Sequence, residues 1–163
     1  MDPTVRLPDD LMAMIARGVS CIVGSRDEAL RPSIMRAVGS QVTADSAGIT
    51  VYLSRSQSRQ LLQDVASTGH LAVVFSEPAS HRTVQLKART ATIRAATEAD
   101  RPTLDRYLAS MEHEIGLVGY PVQMARAMLA YRLDDLVALT FTPEMAFDQT
   151  PGPRAGSALG ERQ

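Results

Sequence analysis

The spacing of apolar and polar positions changes period several times along the chain. Leu11, Met14 and Ile15 recur at helical spacing within residues 7–18. Pro8, Asp9 and Asp10 suit the first turn of that helix, and Gly18 suits its end. Residues 19–25 are short, apolar and β-branched, which predicts a strand. A turn at 26–29 leads to a second strand over 32–43, and a turn at 44–48 to a third over 49–54. Closely spaced strands with short turns predict an antiparallel meander.

The period then lengthens again. Leu61, Leu62 and Val65 share one helical face, closed by Gly69. Ser54 with Gln57 three residues on matches a capping box; Ser56 with Arg59 in the third place is the rival cap. A fourth strand follows over 71–76, where Leu71, Val73 and Phe75 alternate with Ala72, Val74 and Ser76. The longest strand candidate is 82–96. Thr83, Gln85, Lys87 and Arg89 share a polar face in its first half, but Ala91, Ile93 and Ala95 make that face apolar in the second. Such a slip predicts a bulge or a strand crossing between two surfaces. Thr97 with Asp100 resembles a helix start, and Leu104, Tyr107, Leu108, Met111 and Ile115 continue it up to the interruptions at Gly116 and Gly119. Pro121 opens another helix, and 136–142 reads as a last strand. The order predicts a mainly β, α+β fold: an antiparallel barrel with attached helices rather than a doubly wound parallel sheet. Residues 1–149 form the expected domain; 150–163, rich in Pro, Gly and small residues, form an irregular tail.

Composition narrows the function classes. The chain has 163 residues, enough for one domain, and 17 basic against 18 acidic residues give a net charge of -1. That balance gives no nucleic-acid footprint. Arginine supplies 16 of the 17 basic residues, and Lys87 is the only lysine. No apolar run reaches a membrane span, and no apolar signal core follows the N-terminus. One cysteine, Cys21, allows no intramolecular disulfide and lies in an apolar strand as a small hydrophobe. A soluble, reducing, cytoplasmic setting is expected. The three histidines, His70, His81 and His113, lack helical metal spacing, so no metal site is expected. There is no nucleophile elbow, Walker-type phosphate loop or Gly-rich dinucleotide turn.

One stretch carries chemistry. Ser54-Arg55-Ser56-Gln57-Ser58-Arg59 joins the third strand to a helix. Helix-start amides, hydroxyls and two guanidinium groups together suit a phosphate.

Three segments resemble the flavin-binding split β-barrel proteins related to pyridoxamine 5′-phosphate oxidase: Arg31 to Val38, Tyr52 to Gln60, and Phe75 to Pro78 with His81 to Leu86. The resemblance spans residues 7–96 and implies an antiparallel split barrel binding flavin mononucleotide (FMN). It implies that Arg36 contacts the cofactor near its phosphate or ribityl chain, and that Leu53 and Ser54 present backbone and hydroxyl groups. It implies phosphate binding by Ser58 and Arg59, and a hydrogen bond to the ring edge from Thr83 or Gln85, with Lys87 on the same face. The family pattern has a lysine where this chain has Gln60, which removes one charge; Arg55 is the candidate to replace it. The tail from Phe147 to Arg154 lacks the substrate signature of the true oxidases, so vitamin B6 oxidation is not expected. The resemblance further implies a homodimer with the cofactor at the subunit interface, acting as an oxidoreductase on a small-molecule substrate. The alternative is a non-catalytic carrier of flavin, haem or deazaflavin. No side chain is assigned as acid or base.

Overall fold

The computed structural model describes residues 4–162. Its elements are β1 (Val5–Arg6), α1 (Asp9–Arg17), β2 (Ser20–Arg26), β3 (Pro32–Arg36), β4 (Gly39–Val42), β5 (Ile49–Ser54), α2 (Arg59–Thr68), β6 (Leu71–Ser76), β7 (Thr83–Ala88), β8 (Thr92–Ala95), α3 (Arg101–Leu117), α4 (Val122–Met128), β9 (Leu136–Phe141), β10 (Met145–Asp148), β11 (Ala158–Leu159) and β12 (Glu161–Arg162). One sheet has the order β11-β10-β7-β6-β2-β3 and the other β4-β5-β9-β8; β1 pairs separately with β12. All pairings are antiparallel. The fold is therefore the expected α+β split barrel with flanking helices.

Two strands expected to be continuous are divided between the sheets. The strand predicted over 32–43 breaks at Ala37 and Val38 into β3 and β4. The Ala37 amide donates to the Cys21 carbonyl at 3.0 Å, whereas the Val38 amide donates to the Tyr52 carbonyl at 2.9 Å. Consecutive amides thus belong to different sheets. The backbone at Gly39 runs close under the helix: a Cβ there would stand 2.7 Å from Leu104 Cδ2, which would have to shift, so β4 passes directly beneath α3. The strand predicted over 82–96 divides into β7 and β8. Its slip in polarity marks this second crossing.

The barrel interior holds Cys21, Val23, Val73, Phe75, Val84 and Leu86 from the larger sheet against Ile49, Val51, Leu53, Val137 and Leu139 from the smaller. Leu11, Met14 and Ile15 of α1 and Leu61 and Val65 of α2 close it. Burial pushes the Cys21 thiol well above its ordinary pKa, which suits a packing role. On the other face of the smaller sheet, Tyr52, Leu136 and Ala138 meet Leu104 of α3.

The predicted Thr97–Asp100 helix start is present as a reciprocal capping box on a short 3₁₀ turn, Glu98–Asp100, that feeds α3. Asp100 also accepts from Tyr52 Oη at 2.8 Å and from both terminal nitrogens of Arg94, at 2.8 and 2.7 Å. This one buried carboxylate ties β5, β8 and α3 together. The helix runs through Gly116 to Leu117. The segment after 149, expected to be irregular, contributes β11 to the larger sheet and β12 to the pairing with β1. β10 was not predicted; it pairs with β7 through Met145↔Lys87 to Asp148↔Val84.

Candidate functional site

The loop between β5 and α2 has a different local structure from the one predicted. Helix α2 begins at Arg59, so its N-cap is Ser58, not Ser54 or Ser56. Both predicted caps point elsewhere. Ser54 Oγ donates to Asp135 Oδ2 at 2.6 Å and Ser56 Oγ donates to the same atom at 2.7 Å. The Ser56 amide donates to Asp135 Oδ1 at 3.0 Å. The two hydroxyls, followed by the amide, hold the Asp135 carboxyl below the usual carboxylate range.

Ser58 is 3% exposed, and its Oγ has no hydrogen-bond partner and makes no cap bond. An unpartnered buried hydroxyl costs about 1–3 kcal/mol unless something satisfies it. Arg55 and Arg59 are exposed and form no ion pair among the described residues. The first-turn amides of α2 add intrinsically free donors and the positive end of the helix dipole. Gln60, at the position where the resemblance implies a lysine, donates from Nε2 to Asp64 Oδ1 at 2.8 Å. Asp64 is buried and also accepts from Ser25 Oγ at 3.1 Å. Gln60 therefore satisfies an internal carboxylate with a neutral donor.

The other predicted residues lie on the larger sheet. Arg36 is opposite Ile22, which is opposite Val74, which is opposite Gln85, which is opposite Phe147. Arg36 and Gln85 thus share one cross-strand row, three strand spacings or about 14 Å apart. Arg36 Nη1 donates to Ser20 Oγ at 2.9 Å. Thr83 and Gln85 share a face but differ in freedom. The Thr83 hydroxyl is engaged with Ser76 Oγ at 2.8 Å and with the His81 carbonyl at 2.9 Å. The Gln85 carboxamide is half-buried and has no hydrogen-bond partner among the described residues. Lys87 Nζ lies 5.2 Å from the centre of the Phe147 ring. The Leu53 side chain is fully buried in the barrel, which leaves its backbone alone for any ligand.

The sidedness of these two groups matters. Helix α2 packs on the inner side of β2, where Ser25 meets Asp64 and Val23 joins Leu61 and Val65 in the core. Strand alternation puts Ile22, and with it the Arg36–Gln85 row, on the opposite side. Within this chain the Arg36–Gln85 row and the helix α2 therefore lie on opposite sides of β2.

The chain matches no protein-family model and none of the curated proteins. Solved structures do match. HupZ of Group A Streptococcus aligns with a TM-score of 0.55 at 12% identity, covering 93% of this chain and 100% of its own. A provisionally assigned pyridoxamine 5′-phosphate oxidase of Lactobacillus delbrueckii aligns with a TM-score of 0.55 at 11% identity, covering 90% and 99%. An F420 reductase also aligns with a TM-score of 0.55, at 14% identity, covering 82% and 93%. The chain has the pyridoxamine 5′-phosphate oxidase-like split-barrel fold.

On this split-barrel fold, the loop before α2 meets the chemical demands of a phosphate ester. It offers an orphaned Ser58 hydroxyl, two unpaired guanidinium groups at Arg55 and Arg59, and the free first-turn amides of α2. Asp135, which gathers Ser54 and Ser56, was not anticipated; it lies 79–81 residues further along the chain, and no local pattern joins it to them. Among the described residues no cluster of three His, Cys, Asp or Glu side chains is arranged to hold a metal. No described helix is long and apolar enough to cross a membrane.

Proposed function

We propose that the protein is an FMN-binding oxidoreductase acting on a small-molecule substrate. The observation that carries this reading is the set of unsatisfied donors at the start of α2: Ser58 Oγ, Arg55 and Arg59. These groups would anchor the phosphate end. Arg36, already turned along the sheet toward Ser20, would approach the phosphate or ribityl chain. Gln85, with a free carboxamide that both donates and accepts, would meet the ring edge; the engaged Thr83 hydroxyl makes it the weaker choice. Bound FMN would supply the hydride or electron transfer. The polypeptide would bind and orient.

The opposed facing of the two groups supports a homodimer in which one copy offers the phosphate seat and the other the sheet face. Ile34, on the outer face of edge strand β3, is 68% exposed and continues the apolar patch of Ile22 and Val74. An exposed apolar face rimmed by polar groups suits burial against a second copy.

The test is the visible absorbance spectrum of the purified protein after incubation with FMN and desalting. Retained flavin bands that bleach with a nicotinamide donor and return with turnover support the oxidoreductase. Retained bands without turnover reduce the reading to a flavin carrier. Complete loss of flavin on desalting, with no affinity in titration, removes FMN.

A further inference from the structure

Three donors converge on the Asp135 carboxylate: the Ser54 and Ser56 hydroxyls at 2.6 and 2.7 Å and the Ser56 amide at 3.0 Å. None of the three carries charge. The neighbouring Arg132 is committed to Asp134, its Nη2 lying 2.6 Å from Asp134 Oδ2. Two hydroxyls and a backbone amide form the donor set of an anion seat, and here the chain's own carboxylate fills it. The unpaired Arg55 and Arg59 flank the same loop. A phosphate dianion brings more acceptor oxygens and more charge than a carboxylate, and would add bonds to the Arg55 and Arg59 guanidinium groups that the Asp135 carboxylate does not make.

We propose that Asp135 is an internal anion that a phosphate-bearing ligand must displace to reach Ser54 and Ser56. This rests on reading the loop as a phosphate seat. While Asp135 is in place, an incoming phosphate is restricted to Ser58, Arg59 and the first amides of α2. Release leaves the strands in place, because the Arg55 amide donates to the Asp135 carbonyl at 2.6 Å and holds the backbone while the side chain turns away. The fold thus contains an occupant that lowers affinity for weakly bound anions and yields to a ligand gripped elsewhere along its length.

The test compares the ¹⁵N-labelled protein with Asp135→Ala and Asp135→Asn during titration with inorganic phosphate. In the unaltered protein the Arg59 amide shifts first and the Ser56 amide lags. In Asp135→Ala the two shift together, and phosphate binds about tenfold more tightly, the factor that one displaced charge-assisted contact is worth. Asp135→Asn keeps the shape, removes the charge and tightens binding in the same direction. It carries the test alone if thermal unfolding shows that the alanine variant is not folded. Equal phosphate affinity in the unaltered protein and a folded variant overturns the proposal, as does absence of phosphate binding in all three. Parallel titrations with FMN and riboflavin separate this from the flavin reading. Tighter phosphate binding without flavin binding keeps Asp135 as an occupant and removes the flavin. Flavin binding with unchanged phosphate affinity does the reverse.

Discussion

At the scale of single residues, position along one short loop decides the role of each serine and arginine. Ser54 and Ser56 fit a local capping pattern, yet β5 runs as far as Ser54 and the helix waits until Arg59. The hydroxyls freed by that delay go to Asp135, a partner that local spacing cannot reveal. The loop's run of serines and arginines was legible in the sequence, whereas its division between serines tied to Asp135 and residues left open was not. Arg59 belongs to the open part. Replacing Arg59 with Ala is expected to weaken FMN binding by roughly 1.5–3 kcal/mol, the range for a charge-assisted hydrogen bond. Riboflavin, which has no phosphate, should bind both proteins equally in a fluorescence titration. Equal loss for both ligands would assign Arg59 to another part of the site.

At the scale of elements, legibility follows the strength of the polarity signal. The crossing between β7 and β8 announces itself because polar and apolar positions exchange faces after Thr90. The crossing between β3 and β4 is silent, because Ala37 and Val38 are both apolar and both buried, so no alternation is broken where the strand changes sheet. Strand β10 is only four residues long and follows Pro143 and Glu144, so it offered too short a pattern to separate from the tail. The Asp100 capping box was readable, but not its wider use as the joint between β5, β8 and α3. Hydrogen bonds from Arg94, followed by those from the Thr97 amide and Tyr52, hold the Asp100 carboxyl far below the ordinary range. A carboxylate depressed in the folded state stabilises above its unfolded pKa of about 3.9 and loses that contribution as pH falls further. Asp100→Ala should therefore cost roughly 1.5–3 kcal/mol at neutral pH, kept to that range because Arg94 is half-exposed. The deficit should shrink as denaturant melts are taken from pH 5 toward pH 2. A deficit that stays constant with pH would show that the joint acts through packing rather than charge.

At the scale of the whole molecule, the sheet row Arg36–Ile22–Val74–Gln85 and the helix α2 lie on opposite sides of β2. On the proposed reading, a second copy would bring the row of one chain to the loop of the other. Ile34→Glu places a charge on the apolar side of that face, where burial against a second copy would cost its desolvation. It is expected to shift a dimer to a monomer in sedimentation velocity and to abolish flavin retention together with it. A monomeric variant that still holds FMN with native affinity would place the whole site within one chain.

The pairing of β5 with β9 brings Ser54 opposite Leu136 across a long stretch of intervening chain. Between them lie α2, β6, β7, β8, α3 and α4. Contacts that close so long a loop are formed late, after their entropy has been offset by nearer pairings. During synthesis the serine loop emerges well before the carboxylate that will occupy it. A nascent chain presents Ser54 and Ser56 bare, and their hydrogen bonds to Asp135 form only when the last large strand docks.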